Sequence, residues 1–196
     1  MSRVYSYVVQ HDLGFAPNPF MGACTLANCK PKIRQVAKCG DLIIGTGSIE
    51  IRAENRLVYW MRVGEVTTFD EYWKDARFSK KKPIMNGSLM QQYGDNIYWV
   101  DANNKYQQLD SFHSESDGSV SIPNLERDTG TTANVLIADE FAYFGKNALR
   151  IPEALLFMVK SGPGHKCNFE AGQTELIKDW VFSNPSRGYL GEPGRW

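Results

Sequence analysis

The chain is poor in the residues that most often betray chemistry. It has three histidines and four cysteines in 196 residues, and 22 Lys/Arg exactly offset 22 Asp/Glu. Each shortage excludes something. Zero formal charge gives no global pull toward nucleic acid or a membrane surface. No stretch approaches the roughly 20 apolar residues of a membrane-spanning helix. The opening MSRVYSYVVQHD has too short an apolar run, and no small-residue cleavage site, for a signal peptide. The expectation is a cytoplasmic protein with reduced thiols, because disulfides need an oxidising compartment. With no internal repeat, no low-complexity linker and no clear domain boundary, residues 1–196 read as a single domain.

What is present is unevenly distributed. Residues 1–100 carry thirteen Lys/Arg against nine Asp/Glu, and residues 101–196 reverse the ratio. Strands are expected at Val4–Val9, at LIIGTG after Gly40-Asp41, and over Leu57–Val66. A short helix is expected at Lys30–Lys38, with Pro31 in its first position and Ile33, Val36 and Ala37 as its apolar stripe. That stripe leaves Lys30, Lys32, Arg34 and Lys38 on or beside the polar side. Thr68 and Glu71 have capping-box spacing at the start of a helix through Phe78, followed by the cation run SKKKP. Residues 94–99 and 106–109 suggest a strand pair, 125–132 a loop, and Pro152–Lys160 and Ala171–Phe182 two more helices.

The cysteines offer two sharp hypotheses. Cys24, Cys29 and Cys39, joined by His165 and Cys167, are weak zinc candidates, because structural zinc pairs lie two to four residues apart and these gaps are longer. A catalytic thiol is the other, its pKa lowered by Lys30 or a histidine. Against both stands the common fate of free cysteine as a small buried hydrophobe, the expectation for Cys24 and Cys39. His113 lies in the polar segment SFHSESDGS and is the histidine best placed for function. If the protein is an enzyme, His113 and Cys24 are its candidates. No phosphate-binding loop, nucleophile elbow or metal motif appears, and no cofactor is called for.

Recognition makes the better physical case. Glycines and loop amides allow close backbone approach, Lys and Arg suit phosphate, and Tyr, Trp and Phe stack bases. The expected ligand set is Asn18 and Thr25 as polar readers, Phe20, Trp73 or Tyr98 for stacking, and Lys30, Arg34, Lys81 and Lys82 for phosphate. Thr46, His113 and Tyr143 complete it. The pocket is expected between the 18–29 loop, the 45–48 exit, and the aromatics near Tyr98 and Tyr143. A duplex-reading motif is missing, which favours a nucleotide or a single-stranded or modified nucleic acid.

Ordered blocks in the chain carry a resemblance. APNPF at 16–20, CTLANCKPKIR at 24–34, GDLIIGTGS at 40–48, TFDEYWKDARFSKKKP at 68–83, GDNIY at 94–98 and YFG at 143–145 resemble the nucleotide modification associated domain 2 family. Where that pattern has tryptophan after the Gly-Asp pair, this chain has Leu42. The resemblance implies a small domain acting with DNA-base or nucleotide modification systems in phages and bacteria. The order of elements is also similar to PUA-like domains, the EVE and ASCH groups, which bind RNA or modified bases beside a small β-barrel.

The fold expected is α+β, a PUA-like, partly open β-barrel with peripheral helices. The function expected is binding of a nucleotide or modified base in a nucleic-acid modification or phage-related system. The alternatives are an enzyme acting on a nucleotide or base, and a structural subunit that binds a protein partner of such a system. No membrane partner is expected.

Overall fold

The computed structural model describes residues 2–196. The described residues form ten strands: β1 Val4–Val9, β2 Thr25–Leu26, β3 Leu42–Gly47, β4 Arg56–Thr68, β5 Tyr98–Val100, β6 Tyr106–Gln108, β7 Asn134–Tyr143, β8 Leu149–Arg150, β9 His165–Lys166 and β10 Gly188–Tyr189. The α-helices are α1 Pro31–Val36, α2 Phe69–Lys74, α3 Leu89–Gln92, α4 Ile122–Thr129 and α5 Ala171–Ser183. Two compact units result. The first takes residues 2–13, Ala37–Gly64 and Ala138–Trp196; the second takes Gly14–Val36 and Glu65–Ile137.

In the first unit, β1 and β3 pair in parallel, and β3 continues antiparallel into β4. Both early strands are rich in β-branched and aromatic residues, and β3 is buried at every position, as a strand covered on both faces should be. The strand order is β10-β7-β4-β3-β1-β9, with β8 on β4; β2 pairs with Leu136 and Ile137 of β7, residues that like β2 belong to the second unit. The protein is therefore α+β with a large mixed sheet and peripheral helices, and the sheet is not closed into a true barrel. Its core gathers Val4, Leu42, Ile44, Leu57, Trp60 and Phe144. Helix α5 adds Ile177 and Val181, one turn apart and so on one face.

The Gly-Asp turn before β3 has a structural explanation. Gly40 adopts φ +88°, and the Asp41 carboxylate accepts the Arg3 and Lys38 amides at 2.7 and 2.9 Å. Two glycines expected to admit a ligand are used for packing. A Cβ on Gly45 would lie 2.3 Å from the Tyr59 ring, and one on Gly47 would lie 2.2 Å from the Ala53 carbonyl oxygen.

In the second unit the capping box is formed: the Glu71 amide donates to Thr68 Oγ1, and Glu71 Oε2 accepts the Thr68 amide. The helix expected through Phe78 stops sooner. Asp75 leaves helical geometry at ψ 119° and caps the Arg77 amide, so the chain restarts as a 3-10 turn over Ala76–Lys81. That restart turns Lys81 inward. The loop expected at 125–132 is largely the helix α4, with Pro123 in its first turn. Segment 152–160 is a 3-10 turn, Glu153–Met158, where an α-helix is expected. Strands β5 and β6 pair with Trp99 opposite Gln107. The unit's core is Phe15, Ala27, Phe69, Tyr72, Phe78, Ile97, Tyr98, Val135 and Ile137.

Candidate functional site

The second unit buries two polar clusters. The first is built on Asp95. Its two carboxylate oxygens accept Thr25 Oγ1 at 2.6 Å and Tyr72 Oη at 2.8 Å. Lys81 Nζ donates to Asn18 Oδ1 at 2.6 Å and to Thr25 Oγ1 at 3.0 Å. The Asn18 amide nitrogen then donates to the Gly14 and Tyr93 carbonyls. Asn18, Thr25, Lys81 and Asp95 are all buried. Burial pushes the Asp95 carboxyl up and the Lys81 ammonium down, which are the directions expected where neither charge reaches water. Three sequence candidates thus come together, but facing one another. Asn18 and Thr25, expected to read a ligand, and Lys81, expected to hold phosphate, hold the 14–28 segment onto the 72–96 segment.

The second cluster is built on Asp128, which α4 points inward. His113 Nδ1 lies 2.9 Å from Asp128 Oδ2, and Tyr98 Oη donates to the same oxygen at 3.1 Å. Asp128 Oδ1 accepts the Cys29 amide at 2.9 Å and Arg127 Nε at 3.1 Å. Burial works to raise this carboxyl, but bonds from His113 and Arg127 outweigh it and hold it below the ordinary range. The Cys29 sulfur sits 3.7 Å from His113 Nε2. Burial first, then the Asp128 charge, push that thiol up to about 11, against the pull of Arg127, Lys30 and Arg34. Arg34, expected on the polar side of its helix, is fully buried. Its guanidinium donates to the Cys29, Asn134 and Asp128 carbonyls at 2.8, 2.7 and 2.5 Å. Burial lowers Arg34 to about 10 and Asp128 offsets part of that, so it stays charged at neutral pH.

A third feature lies at the surface. The Trp73 and Trp99 indoles stack with centroids 4.3 Å apart and planes 21° from parallel, and Lys82 Nζ lies 3.6 Å from the Trp73 centroid. All three side chains are half-buried. Trp73 and Lys82 were legible as candidates; Trp99, in the strand opposite Gln107, was not singled out.

The remaining candidates are placed as follows. Phe20 and Cys24 are buried, and burial pushes the Cys24 thiol up to about 12. Lys30 is half-buried at φ +42°. Thr46 and Tyr143 belong to the first unit, where Thr46 Oγ1 donates to the Tyr7 carbonyl and Tyr143 Oη donates to Asp12. Cys39, expected to be buried, is exposed. No three His, Cys, Asp or Glu side chains gather as a metal site among the described residues. Sequence reasoning passed over two groups. One is Cys29 with Asp128 and Arg127 around His113. The other is a cleft of about 320 Å³ in the first unit, lined by Arg52, Arg56 and Lys146. The cations of that cleft are dispersed in sequence, so no basic run announces it.

Among the described helices none is long and apolar enough to cross a membrane. No curated protein and no solved structure matches the chain. Residues 1–196 match the family model described as nucleotide modification associated domain 2. The chain belongs to that family, and membership supports a role associated with nucleotide modification.

Proposed function

We propose that the protein binds a nucleotide or modified base of single-stranded nucleic acid, in a modification system of the kind the family name describes. The observation that carries this is the Trp73–Trp99 stack under Lys82. Stacked indoles at a half-exposed surface offer a base the same contact they offer each other, and an ammonium on the stack suits the neighbouring phosphate. Phosphate contact is assigned to Lys82 and to the Arg52–Arg56–Lys146 cleft, each to be tested alone. Arg34 and Lys81 are left out of that role because their donors are committed inside the fold.

The test is a titration with short single-stranded oligonucleotides, with and without modified bases, at several salt concentrations. Trp73→Ala should weaken binding by about 1–3 kcal/mol, the value of one base on an aromatic platform. Lys82→Ala should lower the slope of log K against log salt by about one contact. Binding unaffected by Trp73→Ala would refute the assignment, and no binding to any oligonucleotide or nucleotide would leave the protein-partner reading in its place.

A further inference from the structure

The cluster on Asp128 goes beyond binding. One carboxylate fixes two things at once: Oδ1 takes the Cys29 amide, and Oδ2 takes the His113 ring. Sulfur and imidazole are therefore keyed to each other through a common group rather than meeting by chance. Asp128 on Nδ1 selects the tautomer with its lone pair on Nε2, the nitrogen that faces the sulfur at 3.7 Å. Arg127 Nη2 lies 3.3 and 3.2 Å from the two ring nitrogens. Near-equal distances place that cation across the two ring nitrogens rather than along one lone pair. Cys29 and Lys30 follow one another at φ +58° and +42°. Two consecutive non-glycine residues in the left-handed region store strain that the surrounding bonds must hold.

The flanks suit a flat, anionic ligand. The Phe15 ring packs edge-on to His113 at 4.5 Å and to Phe112 at 5.5 Å. Phe112 is 47 % exposed, and the Arg127 side chain is 44 % exposed while anchored on Asp128. An aromatic wall and a half-exposed guanidinium therefore border the imidazole.

We propose that Cys29, His113 and Asp128 form a thiol–imidazole–carboxylate site that adds the Cys29 sulfur reversibly to C6 of a pyrimidine base. The substrate class rests on the nucleotide reading above; the roles of the three residues rest on their geometry. Among nucleobases the pyrimidines offer a soft nucleophile an electrophilic carbon, C6, conjugated with C4. Cys29 is the nucleophile, His113 the base, and Asp128 the positioning residue. The thiol stays protonated at rest and is activated as it attacks. The S–H proton passes to Nε2 as the S–C6 bond forms, and the C5=C6 electron pair moves to C5. Nε2 then protonates C5. In reverse, His113 removes a C5 hydrogen, the double bond re-forms, the C6–S bond breaks and the departing sulfur takes a proton back from Nε2, whose N–H exchanges with solvent. Nothing is consumed, and the hydrogen on C5 is exchanged with solvent.

The experiment follows that exchange. Wild-type protein is incubated in D2O with dUMP, dCMP and a pyrimidine oligonucleotide, and the H5 resonance is monitored by NMR. Binding is measured separately by tryptophan fluorescence. Loss of H5 is expected with wild type, none with Cys29→Ser, and a rate reduced about a hundredfold or more with His113→Gln. Saturable binding without exchange would overturn the covalent step while leaving the binding reading standing. Exchange that survives in Cys29→Ser would also overturn it, and absence of both binding and exchange would overturn the pyrimidine assignment. A second arm needs no nucleotide: iodoacetamide labelling with peptide mapping, using exposed Cys39 as internal reference. His113→Gln should slow Cys29 relative to Cys39 by about tenfold, the low side of general-base effects. An unchanged ratio would overturn the thiol–imidazole pair.

Discussion

Replacing Arg34 with methionine removes a cation from a place where water does not reach. The guanidinium spans three backbone carbonyls, two of them 94 and 100 residues away in sequence, and lies 5.1 Å from the Phe69 ring. Methionine keeps the stem and its contact with the aromatic ring, so the change isolates the polar loss. One buried and two part-buried acceptors lose their donor, and the Asp128 charge loses a neighbour. The expected cost is about 3–5 kcal/mol, the range for stripping one partner from a buried charged group. For a chain of this size each kcal/mol moves the melting temperature by about 2–4 °C, giving a fall of roughly 6–20 °C. Circular dichroism melts and urea titrations of Arg34→Met and Lys32→Met make the comparison. Lys32 is exposed on the same helix, and its substitution should stay within about 0.5 kcal/mol. Arg34→Met that melts with wild type yet loses nucleotide affinity would refute the reasoning and return Arg34 to the phosphate role its sequence position suggests.

Two further outcomes follow from the same structure. Gly45→Ala drives a methyl group against the Tyr59 ring at 2.3 Å and should cost about 1–3 kcal/mol of overpacking, read from urea midpoints; a neutral result would show that β3 and β4 separate easily. Asp128 has its folded pKa lowered, so its contribution is present above the unfolded value of about 3.9 and is lost as pH falls through the folded value. Wild type should therefore lose stability as pH falls below about 5 more steeply than Asp128→Asn, whose deficit should narrow toward acid. A deficit that stays constant across that range would contradict the assignment of Asp128 as a buried carboxylate.

The sequence announced what local chemistry decides. The capping box at Thr68 and Glu71 formed as its spacing required, and β1 and β3 follow their β-branched runs. The failures share a cause in contacts distant along the chain. Arg34 sits in a basic run with the appearance of a solvated face, yet its acceptors arrive from near residues 128 and 134. Helix α4 escaped notice because it is short and mostly polar, with Asp128 its one buried residue. That polar sequence also concealed the partner of His113, which the sequence offers as an enzyme candidate alongside Cys24. Cys24 is sealed beside Asp95 and Lys81, whereas Cys29, five residues on, faces the imidazole. That Asp128 points inward depends on partners distant along the chain, and only the fold could show it.

The most direct measurement of the central claim is photocrosslinking of a bound single-stranded oligonucleotide, followed by mass spectrometry of the crosslinked peptides. The account predicts base adducts at Trp73 or Trp99, with yield falling as salt is raised and lost in Trp73→Ala. Saturable binding whose crosslinks all map away from residues 69–82 and 97–105, with yield unaffected by Trp73→Ala, would contradict it.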